Sequence, residues 1–242
     1  MIPLRDANPT RRLPVVTIGL IVACFVVFAY ELGTLATGED ALNAFVTTWG
    51  VVPADLLGAW DAGDYASQET LTLITSQFLH GGWLHLLGNM LFLWIFGNNV
   101  EDALGRIRFL LWYVAAGLAA TAAQTWVTLH YASLEDASIP NIGASGAIAG
   151  VMGAYFVLYP HSRVLTLIPW IFIQVVEMPA IVLLGFWFLM QLFSAGAIAV
   201  TASTHGGGVA FMAHVAGFVL GAIGVLVFRK KALAPWERVD YY

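Results

Sequence analysis

Charge is scarce in this chain. Of 242 residues only 10 are Lys or Arg and 15 are Asp or Glu, and no basic run exceeds Arg229-Lys230-Lys231. Too little positive charge is clustered to grip nucleic acid. Cysteine is scarcer still. Cys24 is alone, so no internal disulfide can form, and its apolar neighbours read as core or lipid. Long polar stretches are missing as well, which excludes a second soluble domain. The first apolar run lacks a following small-residue cleavage site and reads as a span, not a leader. Against these absences stands a 60% hydrophobic composition and a mean hydropathy of +0.80. Such a chain is a polytopic membrane protein.

About 20 apolar residues cross a bilayer as a helix. Six segments meet that need, roughly 13–35, 83–99, 107–130, 143–159, 177–200 and 207–228. The expected fold is all-α, one membrane domain over residues 1–242 with six transmembrane helices. Residues 164–176 are apolar too. They are expected to form a buried or interfacial connection, with Glu177 at the N-terminus of the fifth helix, where a carboxylate suits the helix dipole.

Six spans place all ten basic residues on one side. The alternate loops, 36–80, 131–142 and 201–206, contain no Lys or Arg and hold Glu39, Asp40, Asp55, Asp61, Asp64, Glu69, Glu135 and Asp136. The positive-inside rule then puts both termini in the cytoplasm, and a seventh span would break the alternation. The long first outer loop carries Trp49 and Trp60 among apolar and turn-forming residues, so it is expected to lie in the headgroup layer and not to be disordered.

Polar side chains inside a bilayer are costly and point to function. Ser145 lies near the start of the fourth span, His85 and Asn89 in the first turns of the second, and His214 about two turns into the sixth. At 1.5 Å per residue all four fall in one layer, roughly 5–12 Å below the outer surface. Glycines accompany them. Gly146–Gly150 and Gly217–Gly221 are GxxxG pairs that let helix backbones approach closely, and Gly217, Gly221 and Gly224 share the face of His214. Taken alone, a membrane serine usually bonds to its own helix, a histidine can bind metal, and GxxxG is common packing. Matched depth and matched glycine stripes favour a Ser–His pair, the nucleophile and base of a hydrolase.

These residues resemble those of the rhomboid intramembrane serine proteases over nearly the whole chain. The family's Gly-x-Ser-Gly stands as Gly143-Ala144-Ser145-Gly146, its Ala-His-x-x-Gly as Ala213-His214-Val215-Ala216-Gly217, and its His-x-x-x-Asn as His85 to Asn89, with an upstream His80. The resemblance implies Ser145 as nucleophile and His214 as general base, with His85, Asn89 and the Ser145 N–H as the oxyanion hole. His80 and Gly143 are possible accessories, His80 at the cavity rim. Two positions depart from the family pattern. Ala149 stands where a Tyr often stacks on the catalytic His, so another group, such as an aromatic from another helix, must hold that ring. The Trp-Arg pair often seen in the first outer loop is absent; Glu69-Thr70-Leu71-Thr72 lies there.

The reading of the residues places no Asp or Glu at catalytic depth on the outer side, so a Ser–His dyad is expected, working without metal or cofactor. The expected partners are the lipid bilayer and single-span membrane protein substrates cut near the outer end of their helix. The expected location is a bacterial inner membrane, with the site opening to the periplasmic side. Ser203–Gly208 is a candidate mobile cap. The competing readings are a catalytically silent membrane-protein binder of the same fold and a His-based metal or proton transporter.

Overall fold

The computed structural model describes residues 1–169, 173–201 and 210–228. Helices dominate. Helix α1 (Val15–Leu35) is followed by three short helices, α2 (Glu39–Trp49), α3 (Pro53–Asp61) and α4 (Gln68–Thr75). Helix α5 (Trp83–Phe92) continues through a π-turn at Leu93–Gly97 into α6 (Asn98–Leu104). Then come α7 (Arg106–Tyr131), a single turn α8 (Leu134–Ala137), α9 (Ser145–Leu158), α10 (Ala180–Thr201) and α11 (Phe211–Phe228).

Burial along these helices follows their period. On α1 the buried residues are Thr17, Leu20, Cys24, Phe28 and Glu31, a single stripe at spacings of three and four. On α7 the stripe runs through Phe109, Tyr113, Ala116, Gly117 and Ala120. Helix α9 has no such stripe because every residue from Gly146 to Tyr155 is buried. A helix apolar on all sides belongs at a centre, and α9 is the axis around which α5, α7, α10 and α11 pack.

The tightest contact on that axis is with α11. A Cβ built on Gly217 would collide with the carbonyl oxygen of Gly146, and one on Gly221 with that of Gly150. Gly153 in turn faces the Phe218 carbonyl. Backbone lies on backbone, which only glycine permits. Ala149 contributes to the same seam, since its Cβ would sit 3.3 Å from a Cβ at Gly217.

At the opposite end of the bundle, a carboxylate replaces a missing cap. Helix α1 begins after Pro14, which offers no capping side chain. Glu101 of α6, 3% exposed, reaches across instead and accepts from Val16 N–H at 3.0 Å, Thr17 N–H at 2.8 Å and Thr17 Oγ1 at 2.8 Å. Free N–H groups at a helix start need such acceptors. Nearby, Asp6 accepts from Tyr155 O–H at 2.9 Å and Asn99 Nδ2 at 2.7 Å.

Asp6 closes a strand, and here the all-α expectation is corrected. Strands β1 (Ile2–Asp6), β2 (Arg163–Pro169) and β3 (Ile173–Pro179) form an antiparallel sheet in the order β1-β2-β3. Of the segment 164–176, expected as an interfacial connection, residues 164–169 lie in β2 and 173–176 in β3. Val164 and Thr166 turn inward and are fully buried. Leu165 and Leu167 on the other face are apolar too, which hides the two-residue period in the sequence. Pro3 is tolerated because β1 is an edge strand. Glu177 lies in β3 and not at a helix start; it pairs loosely with Arg163 at 3.9 Å on the exposed surface. Helix α10 begins three residues later, at Ala180.

Other boundaries shift less. The second helix runs on to Leu104, past the expected Asn99, because the π-turn continues it. The long loop after the first helix is helical in three places. By length and apolarity alone, Val15–Leu35 and Arg106–Tyr131 can each cross a membrane, and Gln68–Phe78 with Trp83–Leu104, bent by 77°, would make a third crossing. Ser145–Leu158, Ala180–Gly196 and Phe211–Val227 are shorter apolar helices.

The glycine seam carries a quantitative expectation. Gly221→Val must push α11 off α9, and overpacking of this kind costs about 1–3 kcal/mol or more. Gly19→Val, where a Cβ would meet nothing within 4 Å, is the matched control. Thermal unfolding in detergent should fall clearly for Gly221→Val and little for Gly19→Val. Equal midpoints would show that the seam is not tight.

Candidate active site

Ser145 is the first residue of α9, and the chain before it is tightly tethered. Asn141 and Val51 exchange backbone hydrogen bonds at 2.7 and 3.1 Å, and Gly143 N–H donates to the Ser76 carbonyl at 2.9 Å. The first outer loop and the end of α4 therefore hold the turn that launches α9. Gly143 has φ +125°, a conformation L side chains avoid. A Cβ there would also lie 2.7 Å from His85 Cε1 and 2.8 Å from its Nε2. Both the backbone and the space demand glycine.

The seam with α11 brings His214 to Ser145. His214 Nε2 lies 2.7 Å from Ser145 Oγ. Its Nδ1 lies 2.7 Å from Gln191 Oε1 on α10. An amide oxygen only accepts, so Nδ1 carries the proton and Nε2 is left with the lone pair that faces the serine hydroxyl. Trp187, one turn before Gln191, sets its ring 5.7 Å from that of His214, with 39° between the planes. Ala149 offers the histidine no ring to stack on, and Trp187 of α10 fills that place.

On the other side of Ser145 stand His85 and Asn89 of α5. Gly81 N–H donates to His85 Nδ1 at 3.3 Å, which leaves the proton on Nε2, on the side of the ring that faces Gly143. Asn89 is buried, and its Nδ2 has no hydrogen-bond partner. A buried amide donor without an acceptor is costly unless something else occupies it in use. The Ser145 N–H belongs to the first turn of α9 and has no acceptor within its own helix. These donors surround one space. Ser145, His214, His85, Asn89, Gln124 and Trp187 all line a single open cavity of about 840 Å³.

The other expected residues fall elsewhere. His80 is 3% exposed and lies behind His85, with ring centroids 5.2 Å apart, not at the cavity rim. Its Nδ1 donates to the Phe78 carbonyl at 3.1 Å, and its Nε2 has no partner. Ser203–Gly208, the expected cap, lies outside the described residues. Among the described residues, no three His, Cys, Asp or Glu side chains converge as a metal site requires.

Three residues were missed in the sequence. Glu31, near the C-terminal end of α1, accepts from His80 N–H at 3.1 Å. It is a carboxylate in the neighbourhood where none was expected, although it does not touch His214. Gln191 and Trp187 are the other two. Gln191 is the first polar residue in the apolar run of α10, a signal that would have found it.

The packing around Gly143 yields a test. Gly143→Ala should press His85 away from Ser145 and slow the reaction of the serine with a fluorophosphonate probe by about 10-fold or more, a small displacement in a site being amplified in rate. An unchanged labelling rate would show that His85 is not held against this turn.

Comparison with known proteins gives the family. The family model for the rhomboid domain matches residues 67–231. Rhomboid protein 1, mitochondrial, of Saccharomyces cerevisiae is 36% identical over 104 residues, 42% of this chain and 29% of that protein. Rhomboid protease GluP of Bacillus subtilis is 37% identical over 136 residues, 56% of this chain and 23% of that one. Putative rhomboid protease YdcA of the same organism is 39% identical over 90 residues, 37% and 42% of the two chains. The chain thus spans less than half the length of each of these relatives. With the domain match covering most of its helices, the chain belongs to the rhomboid family of integral membrane proteins.

Proposed function

We propose that this protein is an intramembrane serine endopeptidase that cuts single-span membrane proteins near the outer end of their transmembrane helix. The observation that carries the reading is the 2.7 Å contact between Ser145 Oγ and a His214 Nε2 whose other nitrogen is already protonated. A neutral imidazole in that tautomer is a general base aimed at a hydroxyl.

The chemistry follows. His214 Nε2 takes the Ser145 proton as Oγ attacks the scissile carbonyl. The oxygen of the tetrahedral intermediate sits at the mouth of α9, where the Ser145 N–H, His85 Nε2–H and Asn89 Nδ2 can donate to it. Each such donor contributes roughly 3–4 kcal/mol to the transition state. His214 then protonates the leaving amine. Water reaching the cavity hydrolyses the acyl-enzyme, with His214 again as base. A cavity of about 840 Å³ lined by Gln124 as well as the reacting groups suits both an unwound peptide segment and that water. Helix-breaking residues in the substrate would make its unwinding cheap.

In the bilayer we place six crossings, α1, α5 with α6, α7, α9, α10 and α11, with both termini cytoplasmic and the cavity opening outward to the periplasm. The distribution of the basic residues supports this orientation. A bacterial inner membrane is the proposed setting.

Ser145→Ala and His214→Ala should each leave less than about 1% of wild-type cleavage of a single-span substrate in liposomes, with thermal unfolding unchanged. The double variant should be no slower than either, because residues that act as a unit do not add. Cleavage by Ser145→Ala well above that level would sink the assignment.

His85→Ala and Asn89→Ala should each lower the single-turnover rate by roughly 10–1,000-fold. Wild-type rates for both would place the oxyanion elsewhere. EDTA should leave the wild-type rate intact; loss of activity restored by zinc would favour metal chemistry instead.

A further inference from the structure

Helix α10 lies outside the pair of helices that carry the nucleophile and base, yet it makes two contacts with His214. Gln191 and Trp187 are four residues apart, so they project from one face of the helix. Trp187 meets the imidazole ring and Gln191 meets its Nδ1. Around the ring, α9 contributes Ser145, α5 contributes His85 across the cavity, and α7 contributes the amide of Gln124. Among the described residues lining the cavity, no carboxylate reaches His214; Asp136 lines it beyond the reacting groups, and no ion pair or hydrogen bond joins it to the histidine. The one acceptor at Nδ1 is a neutral amide.

That arrangement has a chemical consequence. Neutral imidazole exists as two tautomers, and only Nδ1–H leaves Nε2 free to take the serine proton. Gln191 must therefore present Oε1 to the ring. The reverse amide orientation would donate to Nδ1, force the proton onto Nε2 and disable the base. We infer that Gln191 is the positioning residue of His214, a third member of the catalytic group that selects the working tautomer and ring orientation from α10. The inference rests on the hydrolase reading above. It also makes the competence of the dyad depend on where α10 stands.

The test uses the full-length protein in detergent with a fluorophosphonate probe, measured from pH 5 to 9, beside thermal unfolding. Gln191→Leu removes the acceptor and should slow labelling by about 10–100-fold, the loss expected when the partner orienting a histidine is removed. Gln191→Glu restores an acceptor but adds a negative charge that favours imidazolium. Its labelling should recover to within a few-fold of wild type at high pH, with the rising limb of the profile moved upward by about 1 unit or more. A side chain that is not seated against Nδ1 would not move that limb. Wild-type rates for Gln191→Leu, or a Gln191→Glu profile that superimposes on wild type, would overturn the inference. If Gln191→Leu fails to fold, the Gln191→Glu profile decides alone.

Histidine ¹⁵N spectra in micelles, with His214 assigned by loss of its signal in His214→Ala, separate this inference from the one beneath it. A folded wild-type protein that takes no label refutes the hydrolase reading. The spectra then still rule on Gln191: Nδ1–H in wild type and its loss in Gln191→Leu support positioning, whereas Nε2–H in wild type overturns it.

Discussion

Everything at the candidate site depends on how closely two helix backbones approach. Ser145 and His214 are 69 residues apart in sequence, and neither side chain is long. They touch because Gly217 rests on the Gly146 carbonyl and Gly221 on that of Gly150. In a bilayer no hydrophobic gain draws helices together, since lipid tails are as apolar as leucine. Close contact must supply the attraction through many small dispersion terms, and removing every Cβ from the seam is the most direct way to obtain it. Ala149 belongs to this economy of size. Its small side chain sits in the seam, and the ring of His214 is supported from α10.

The opposite end of the bundle is held by a different force. There Glu101 caps a helix that begins with no cap of its own, and Asn99 with Asp6 links the sheet to Tyr155 of α9. Buried polar groups of this kind are costly when half satisfied and rigid when complete. The two ends complement one another. A glycine seam resists compression but permits sliding along its length, whereas directional hydrogen bonds at one end of α9 oppose such sliding.

Much of this was legible in the sequence because membrane polarity is so informative. Ser145, His214, His85 and Asn89 stood out as isolated polar residues at a common depth, and the structure brings all four to one cavity. The helices 15–35 and 106–131 follow their apolar runs closely. What was not legible was non-local. Strand β1 is five residues whose partner lies some 160 positions away, and β2 is apolar on both faces, so neither showed a period. Glu177 suits a helix start by its charge, but the carboxylate stands in β3, which ends at Pro179. Gln191 was overlooked for a different reason. It lies deep in a helix approached from the other side, where depth counted from the outer surface does not reach.

The sheet also imposes an order in time. A chain emerging from the ribosome delivers Ile2 long before Leu167, its partner in the β1–β2 ladder. Helix α1 is likewise made some 84 residues before the glutamate that caps it. His214 comes later still, after both sheet and cap have become available. Ser145 thus waits through 69 residues of synthesis for its histidine, and the glycine face of α9 stays uncovered until the last described helix arrives. The chemistry is therefore assembled last, on a scaffold whose other parts can already have closed.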